Sequence, residues 1–166
     1  MTDSTETKKY WKVLGVVAVV GLLACIPLVW LGLRMNDEAR QRRVVAANEA
    51  ATLAALEGIA AAQQLYLQTQ SRYGTFRELV EAGVFQAPLT GDALVAHGYN
   101  FTLRVTPRTE SQPPSFKVNA DPLSREGEAA TGRRHFYLDS DLVGIRVNEA
   151  RPAGPGDPPR QTVTGY

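Results

Sequence analysis

The sequence predicts an α+β protein, in which a long N-terminal transmembrane helix continues into an amphipathic helix packed on a small four-stranded antiparallel sheet. An uncharged apolar run extends from Val13 to Leu33, and an alanine-rich stretch without proline follows it as far as Gln70. The second half alternates apolar and polar residues, which is the period of a half-buried strand. Once the apolar run and both ends are set aside, roughly 100 of the 166 residues remain, enough for one small domain.

The apolar run over residues 13–33 has the length of a membrane span. At 1.5 Å of rise per residue, about twenty helical residues reach roughly 30 Å, the thickness of the hydrocarbon core of a bilayer. Pro27 removes one backbone hydrogen bond, which membrane helices tolerate better than soluble ones. Lys8, Lys9 and Lys12 before the run are balanced by arginines after it, so local charge alone does not choose an orientation.

Cys25 leaves a second interpretation of this run open. The segment Leu22–Cys25 resembles a lipoprotein cleavage box, with the lysines as n-region and residues 13–24 as h-region. Cleavage there would leave a lipid-bearing Cys25, although Ile26 to Leu33 continues as apolar sequence where a polar tether is expected. As the single cysteine, it permits no intramolecular disulfide.

Two helices are expected after the span. Leu53, Leu56, Ala60 and Leu67 recur at helical spacing and form one apolar stripe, flanked mostly by alanines that let another element approach closely. Thr75 with Glu78 three residues later forms a capping box for a short helix over residues 76–82, closed by Gly83.

Four strands are expected in the second half, over residues 99–105, 116–121, 134–139 and 143–148. A tight turn over residues 140–142 joins the last two. In the third strand, Phe136 and Tyr137 point to opposite faces, so one belongs to the core and the other is a candidate contact surface. Residues 149–166 are rich in proline and glycine and are expected to be disordered.

Composition and motifs argue against catalysis and against nucleic acid as a partner. The net charge of +1 leaves no basic footprint, and no phosphate-binding glycine loop occurs. Neither His97 nor His135 lies in a metal-binding spacing, and Ser140 near His135 lacks the elbow or oxyanion site that a nucleophile needs. Asp121, Asp139 and Asp141 lie in or near sheet loops, where calcium is one alternative. They lack the alternating oxygens of a calcium loop, so turn chemistry is the favoured interpretation. We therefore expect no catalytic residue, cofactor or metal.

The order of these parts and several short segments resemble the type IV pilin and pseudopilin family over most of the chain. The residues that carry the resemblance are Ile26-Pro27, Ala47-Asn48-Glu49-Ala50, Tyr73-Gly74-Thr75-Phe76, Gly98-Tyr99-Asn100-Phe101-Thr102, Asn119-Ala120-Asp121-Pro122, Gly132-Arg133-Arg134-His135-Phe136-Tyr137-Leu138-Asp139, Gly144-Ile145-Arg146 and Asp157-Pro158-Pro159. The resemblance implies an orientation, because the sheet domain of the family lies outside the cytoplasm. Residues 1–12 would then be a cytoplasmic tail and residues 34–148 a pilin-like domain.

The chain departs from that family at the start of its apolar helix. Family members carry a glycine, a methylatable residue and soon after it a glutamate where the prepilin peptidase cuts, whereas residues 5–12 here read TETKKYWK. The apolar run also contains no glutamate. This puts processing and ordinary filament assembly in doubt, and it favours a pilin-like domain on a permanent anchor.

Two functions follow as expectations. The first is a non-catalytic, single-pass protein of a bacterial inner membrane, whose periplasmic or extracellular domain serves a type IV pilus or a type II secretion-like system. Its partners would be membrane lipid, other pilin-like or secretion proteins, and possible further copies of itself, through helix and sheet-edge contacts. The second is a membrane-tethered periplasmic binding or sensing module, with Cys25 as a lipidation site. A membrane-bound hydrolase ranks third.

Overall fold

The computed structural model describes residues 4–141 and 144–160, with side chains at Trp30 and from Arg34 onward. The chain divides into two compact units, Met1–Gln41 and Arg42–Tyr166. The helices are α1 (Ser4–Gln70) and α2 (Phe76–Glu81), and the strands are β1 (Leu89–Thr90), β2 (Ala93–Ala96), β3 (Tyr99–Thr106), β4 (Ser115–Pro122), β5 (His135–Asp139) and β6 (Arg146–Asn148).

The N-terminal part of the chain is helical from Ser4, so the predicted span over residues 13–33 lies within α1. Apart from Trp30, its side chains are outside the described set. Among the described residues, one stretch is long and apolar enough to cross a membrane, and it lies within Arg34–Gln70. A third of that stretch is buried, because it also forms the core of the second unit. Its apolar character therefore has a second explanation in core packing.

The predicted apolar stripe on α1 is confirmed as the helical half of the core. Leu53, Leu56 and Ile59 are at most 6% exposed, and they form one cluster with aromatic and aliphatic residues of the sheet. Ala60 and Leu67 are partly buried against the same cluster. Because these positions recur every three or four residues, a single face of α1 is covered by the sheet.

The short helix α2 begins at Phe76 as predicted and ends at Glu81, one residue before the predicted end, with Ala82 as its C-cap. The Thr75 hydroxyl accepts from the Glu78 amide at 3.3 Å, and the Glu78 carboxylate accepts from the Thr75 amide at 2.7 Å, which completes the capping box. Gly83 follows the helix with a φ of +69°, the left-handed conformation that glycine adopts without strain.

The sheet contains six antiparallel strands in sequential order, and the expectation of four was wrong. The two missed strands are β1 and β2, which are too short to show a periodic pattern. They are joined by the two-residue loop Gly91-Asp92, and β2 joins β3 through His97-Gly98, where both residues have positive φ. Such loops match the twist of a hairpin, so they hold short strands in register that alternation cannot reveal.

The remaining strands lie close to their predicted ranges. In β3, Tyr99 and Phe101 are buried while Asn100 and Thr102 are exposed, which confirms the alternation. The last strand begins at Arg146, later than predicted. Residues 142 and 143, which belong to the predicted turn and strand, lie outside the described residues.

Residues 149–160 contain no helix or named strand, yet they are held against the sheet, in contrast to the disorder expected for this segment. Ala153 and Asp157 are at most 8% exposed. The Asn119 amide group donates to the Ala153 carbonyl at 2.8 Å, which places the segment over the outer face of the sheet, opposite α1. Side chain to backbone bonds of this kind need no local periodicity, so composition alone could not reveal them.

Candidate functional site

A described side-chain contact of the first unit lies near the end of the apolar run. The guanidinium of Arg34 lies 4.5 Å from the ring centroid of Trp30, which is 57% exposed. Tryptophan and arginine are both enriched where membrane helices leave the hydrocarbon layer. Trp30 lies in the last turn of the predicted span, and Arg34 is the first residue after it.

Two neighbouring residues of α1 attach the helix to the loop before β5. One carboxylate oxygen of Glu49 accepts from the backbone amides of Arg133 and Arg134 at 2.9 and 3.2 Å, and the other accepts from the Arg134 guanidinium at 2.6 and 2.7 Å. The Asn48 amide donates to the Thr131 carbonyl at 2.9 Å. The Glu49 side chain is only 7% exposed, so its charge is neutralised within the domain.

Tyr99 and Gly132 complete this attachment from the sheet side. The Tyr99 hydroxyl donates to the Arg134 carbonyl at 2.9 Å, and burial raises the pKa of Tyr99, with a further contribution from Glu49. A Cβ at Gly132 would overlap that hydroxyl. Glycine is therefore required here for close approach of the loop to the ring.

A shallow groove of about 230 Å³ lies beside this attachment. It is lined by Arg42, Val45, Ala46, Glu49, Arg133, Arg134 and Glu149. Arg134 is paired with Glu49, whereas the Arg133 guanidinium makes no hydrogen bond or ion pair within the described parts of the chain. The lining contains three arginines and two glutamates, so arginines outnumber acidic residues in it.

The face of α1 opposite the core is built of small residues and is exposed. We call it the small-residue face, and its members are Ala47, Ala50, Ala54, Gly58, Ala61 and Leu65. Their spacing of three and four residues places them along one line of the helix. A Cβ at Gly58 would meet nothing within 4 Å, and Leu65 is 47% exposed. No described residue of the domain covers this line.

The two edges of the sheet are both protected. At β6, the Val147 amide donates to the Pro158 carbonyl at 3.1 Å, and the Arg160 amide donates to the Ile145 carbonyl at 2.8 Å. Arg160 then reaches Glu57 of α1 at 3.6 Å. The opposite edge is β1, only two residues long. Short strands and proline-bearing covers are common ways of preventing edge-to-edge pairing.

The residues considered for catalysis are not brought together as a triad. The His135 Nδ1 atom lies 2.5 Å from Asp121, while the Ser140 hydroxyl contacts Asp141 at 3.2 Å and the Phe116 amide at 3.4 Å. His135 is buried, with an Nε2 atom that has no partner in the described structure, whereas His97 is an exposed turn residue. Turn and strand roles therefore explain both histidines.

The three aspartates considered for calcium also have other partners. Asp121 contacts His135, and Asp139 accepts from the Tyr137 hydroxyl at 2.6 Å and from the Asp141 amide at 3.0 Å. The described residues contain no group of three or more His, Cys, Asp or Glu side chains placed to hold a metal.

Tyr137 is not a contact surface, as one interpretation of β5 suggested. It is 3% exposed, and Phe136 on the other face is fully buried. Burial and the hydrogen bond with Asp139 raise the pKa of Tyr137. Tyr137 is buried because residues 149–160 lie over this face of the sheet. Asn119, the cross-strand neighbour of Tyr137, donates to the Ala153 carbonyl of that segment.

The segments that resemble pilins include both Glu49 and Arg134, but no sequence pattern connects the two residues. Glu49 and Arg134 are 85 positions apart, and nothing local in either segment signals the other. The small-residue face was read only as a surface for close packing. Cys25 lies outside the described side chains. Comparison with protein-family models, curated proteins and solved structures found no match for this chain.

Proposed function

We propose that this chain is a non-catalytic, pilin-like, single-pass membrane protein that serves as a structural or assembly component of a type IV pilus or type II secretion-like envelope system. The apolar run in α1 anchors it in a bacterial inner membrane, with the N-terminus cytoplasmic and the sheet domain periplasmic or extracellular. The observation that carries the proposal is the small-residue face, an exposed line on the same helix whose other side forms the core.

The contacts favour the helix over the sheet edge as the surface for assembly. Both sheet edges are protected, one by residues 157–160 and the other by the shortness of β1. The small-residue face has side chains no larger than alanine at five of its six positions, which lets a second helix approach its axis closely. The exposed Trp30 and Arg34 pair supports a membrane boundary after the run.

Site-specific crosslinking in membranes tests this proposal. In a Cys25→Ser background, cysteine is introduced by Ala54→Cys on the small-residue face or by Ser111→Cys in the exposed loop after β3. A short bis-maleimide is expected to link the Ala54→Cys chain to a second copy or to another membrane protein, and to leave Ser111→Cys unlinked. Equal crosslinking at both positions, or none at Ala54→Cys, would contradict assembly through this face.

The alternative function is a membrane-tethered binding or sensing module, with Cys25 as a possible lipidation site. The arginine-lined groove is the observation that favours it. A ligand of small molecular weight that raises the melting temperature of the domain would support this alternative, and the mass of the membrane-extracted chain would show whether Cys25 is processed and acylated.

A further inference from the structure

We propose that the groove between α1 and the loop before β5 binds the phosphate of an anionic phospholipid headgroup, with Arg133 as its principal contact. This rests on the proposed membrane anchorage. It goes beyond assembly through the helix, because it assigns a ligand to a different surface of the domain.

The charge arrangement leaves Arg133 available for an anion. Glu49, the nearest buried acid, has one oxygen occupied by two backbone amides and the other by the Arg134 guanidinium. Arg133 is exposed and contributes only its amide to this arrangement, so the carboxylate does not neutralise its guanidinium. A planar guanidinium with free donors matches the geometry of phosphate oxygens and binds them through two parallel hydrogen bonds.

The floor of the groove suits the rest of a lipid headgroup. Val45 is 7% exposed and Ala46 is exposed beside it, so the groove that the arginines line also contains apolar surface. A free phosphate would use only the arginines, whereas a glycerophosphate would also contact this surface. Glu149, which also lines the groove, disfavours a highly charged anion and is compatible with a singly charged phosphodiester.

The chain position of the groove brings it near the bilayer. Arg42, which lines it, follows the end of the apolar run at Leu33 so closely that even a fully extended chain would hold it within about 30 Å of the membrane. Arg40 and Arg43 are close to Arg42 in the sequence and are exposed. Arginines close to an anionic surface are attracted to it, so this segment favours phosphatidylglycerol over a neutral lipid.

The experiment measures the melting temperature of the full chain in neutral detergent micelles, from the near-ultraviolet circular dichroism of its buried tyrosines. Phosphatidylglycerol, phosphatidylcholine or inorganic phosphate is added in separate titrations. At about ten times its dissociation constant, phosphatidylglycerol is expected to raise the melting temperature by roughly 3 to 5 °C, and phosphatidylcholine to leave it unchanged.

The variants separate a specific site from general attraction. Arg133→Gln is expected to weaken the apparent affinity for phosphatidylglycerol about tenfold, and Arg133→Lys to restore part of it. Arg108→Gln, in the exposed loop after β3, removes the same charge elsewhere and is the matched control. Equal weakening in both glutamine variants, or no difference between the two lipids, would overturn the proposal.

Three further outcomes are distinguishable. A shift of equal size with millimolar inorganic phosphate would overturn the lipid as the source and assign the groove to soluble phosphate. A full chain that is soluble in water without detergent would defeat the membrane anchor itself. An anchored chain with the expected crosslinks but no lipid-dependent shift would defeat the groove alone.

Discussion

Replacing Glu49 by alanine is expected to loosen the loop before β5 from α1. The two amides of Arg133 and Arg134 lose their acceptor, at about 1 kcal/mol each, since they are partly buried. The Arg134 side chain is 38% exposed, so solvent screening limits the loss of its ion pair to about 1 kcal/mol. The total of about 3 kcal/mol corresponds to a fall of roughly 10 °C in melting temperature for a domain of this size.

The assay is thermal unfolding of the full chain in neutral detergent, followed by tyrosine circular dichroism. Glu49→Gln keeps one oxygen for the amides and is expected to lose less than Glu49→Ala. Glu57→Ala is the control, because Glu57 is an exposed acid on the same helix with one long contact of 3.6 Å to Arg160. A melting temperature for Glu49→Ala within 2 °C of the Glu57→Ala control would refute the reasoning.

Three further predictions use the same unfolding measurement. Gly132→Ala forces a Cβ into the ring beneath it and is expected to cost about 2 to 3 kcal/mol, whereas Gly156→Ala, with open space around it, changes stability by less than about 0.5 kcal/mol. The Glu78 carboxylate has its pKa lowered to about 2, mainly by its hydrogen bond with an arginine, so its contribution is fully present above about pH 5 and is lost as the pH falls toward 2. Glu78→Gln should flatten that acid limb, whose size is about 1 kcal/mol after solvent screening, and an unchanged limb would contradict the assignment. Asp157→Ala removes the acceptor for the amides that fold residues 149–160 and should lower the melting temperature by several degrees more than Asp92→Ala, an exposed acid; equal effects would mean that the segment does not stabilise the sheet.

The sequence could predict the elements whose causes are local. The capping box at Thr75, the apolar stripe through Leu56 and the alternation from Tyr99 each depend on residues within a few positions of one another. The strands β1 and β2 were missed because two to four residues are too few for a period to show. The sequence feature that marks these two strands is the glycine in each connecting loop. Gly91 and Gly98 both adopt the positive φ that tight hairpin turns require.

The candidate surfaces depended on contacts that no local pattern encodes. The resemblance to pilins singled out the segments around Glu49 and Arg134, but the carboxylate that joins them is visible only when the loop is folded against α1. Composition predicts disorder for residues 149–160 for the same reason. Their hydrogen-bond partners, Asn119 and Val147, belong to strands of the sheet and not to the segment itself. Composition indicates whether a segment would be ordered by itself, whereas the loop before β5 and residues 149–160 are stabilised by their contacts with α1 and the sheet.

The arrangement of covered and open surfaces supports the proposed mode of assembly. Burying a sheet edge under a proline-bearing segment costs chain entropy, and the chain orders residues 149–160 without gaining a helix or a strand from them. That cost is repaid if an open edge would have paired with other chains. The helix receives no such cover: Ala54, Gly58 and Ala61 remain exposed along a line that a second helix could approach closely. Under the proposed mode of assembly, association is directed to the open helix face, so crosslinks at Ala54 are a sharper test than any contact on the sheet.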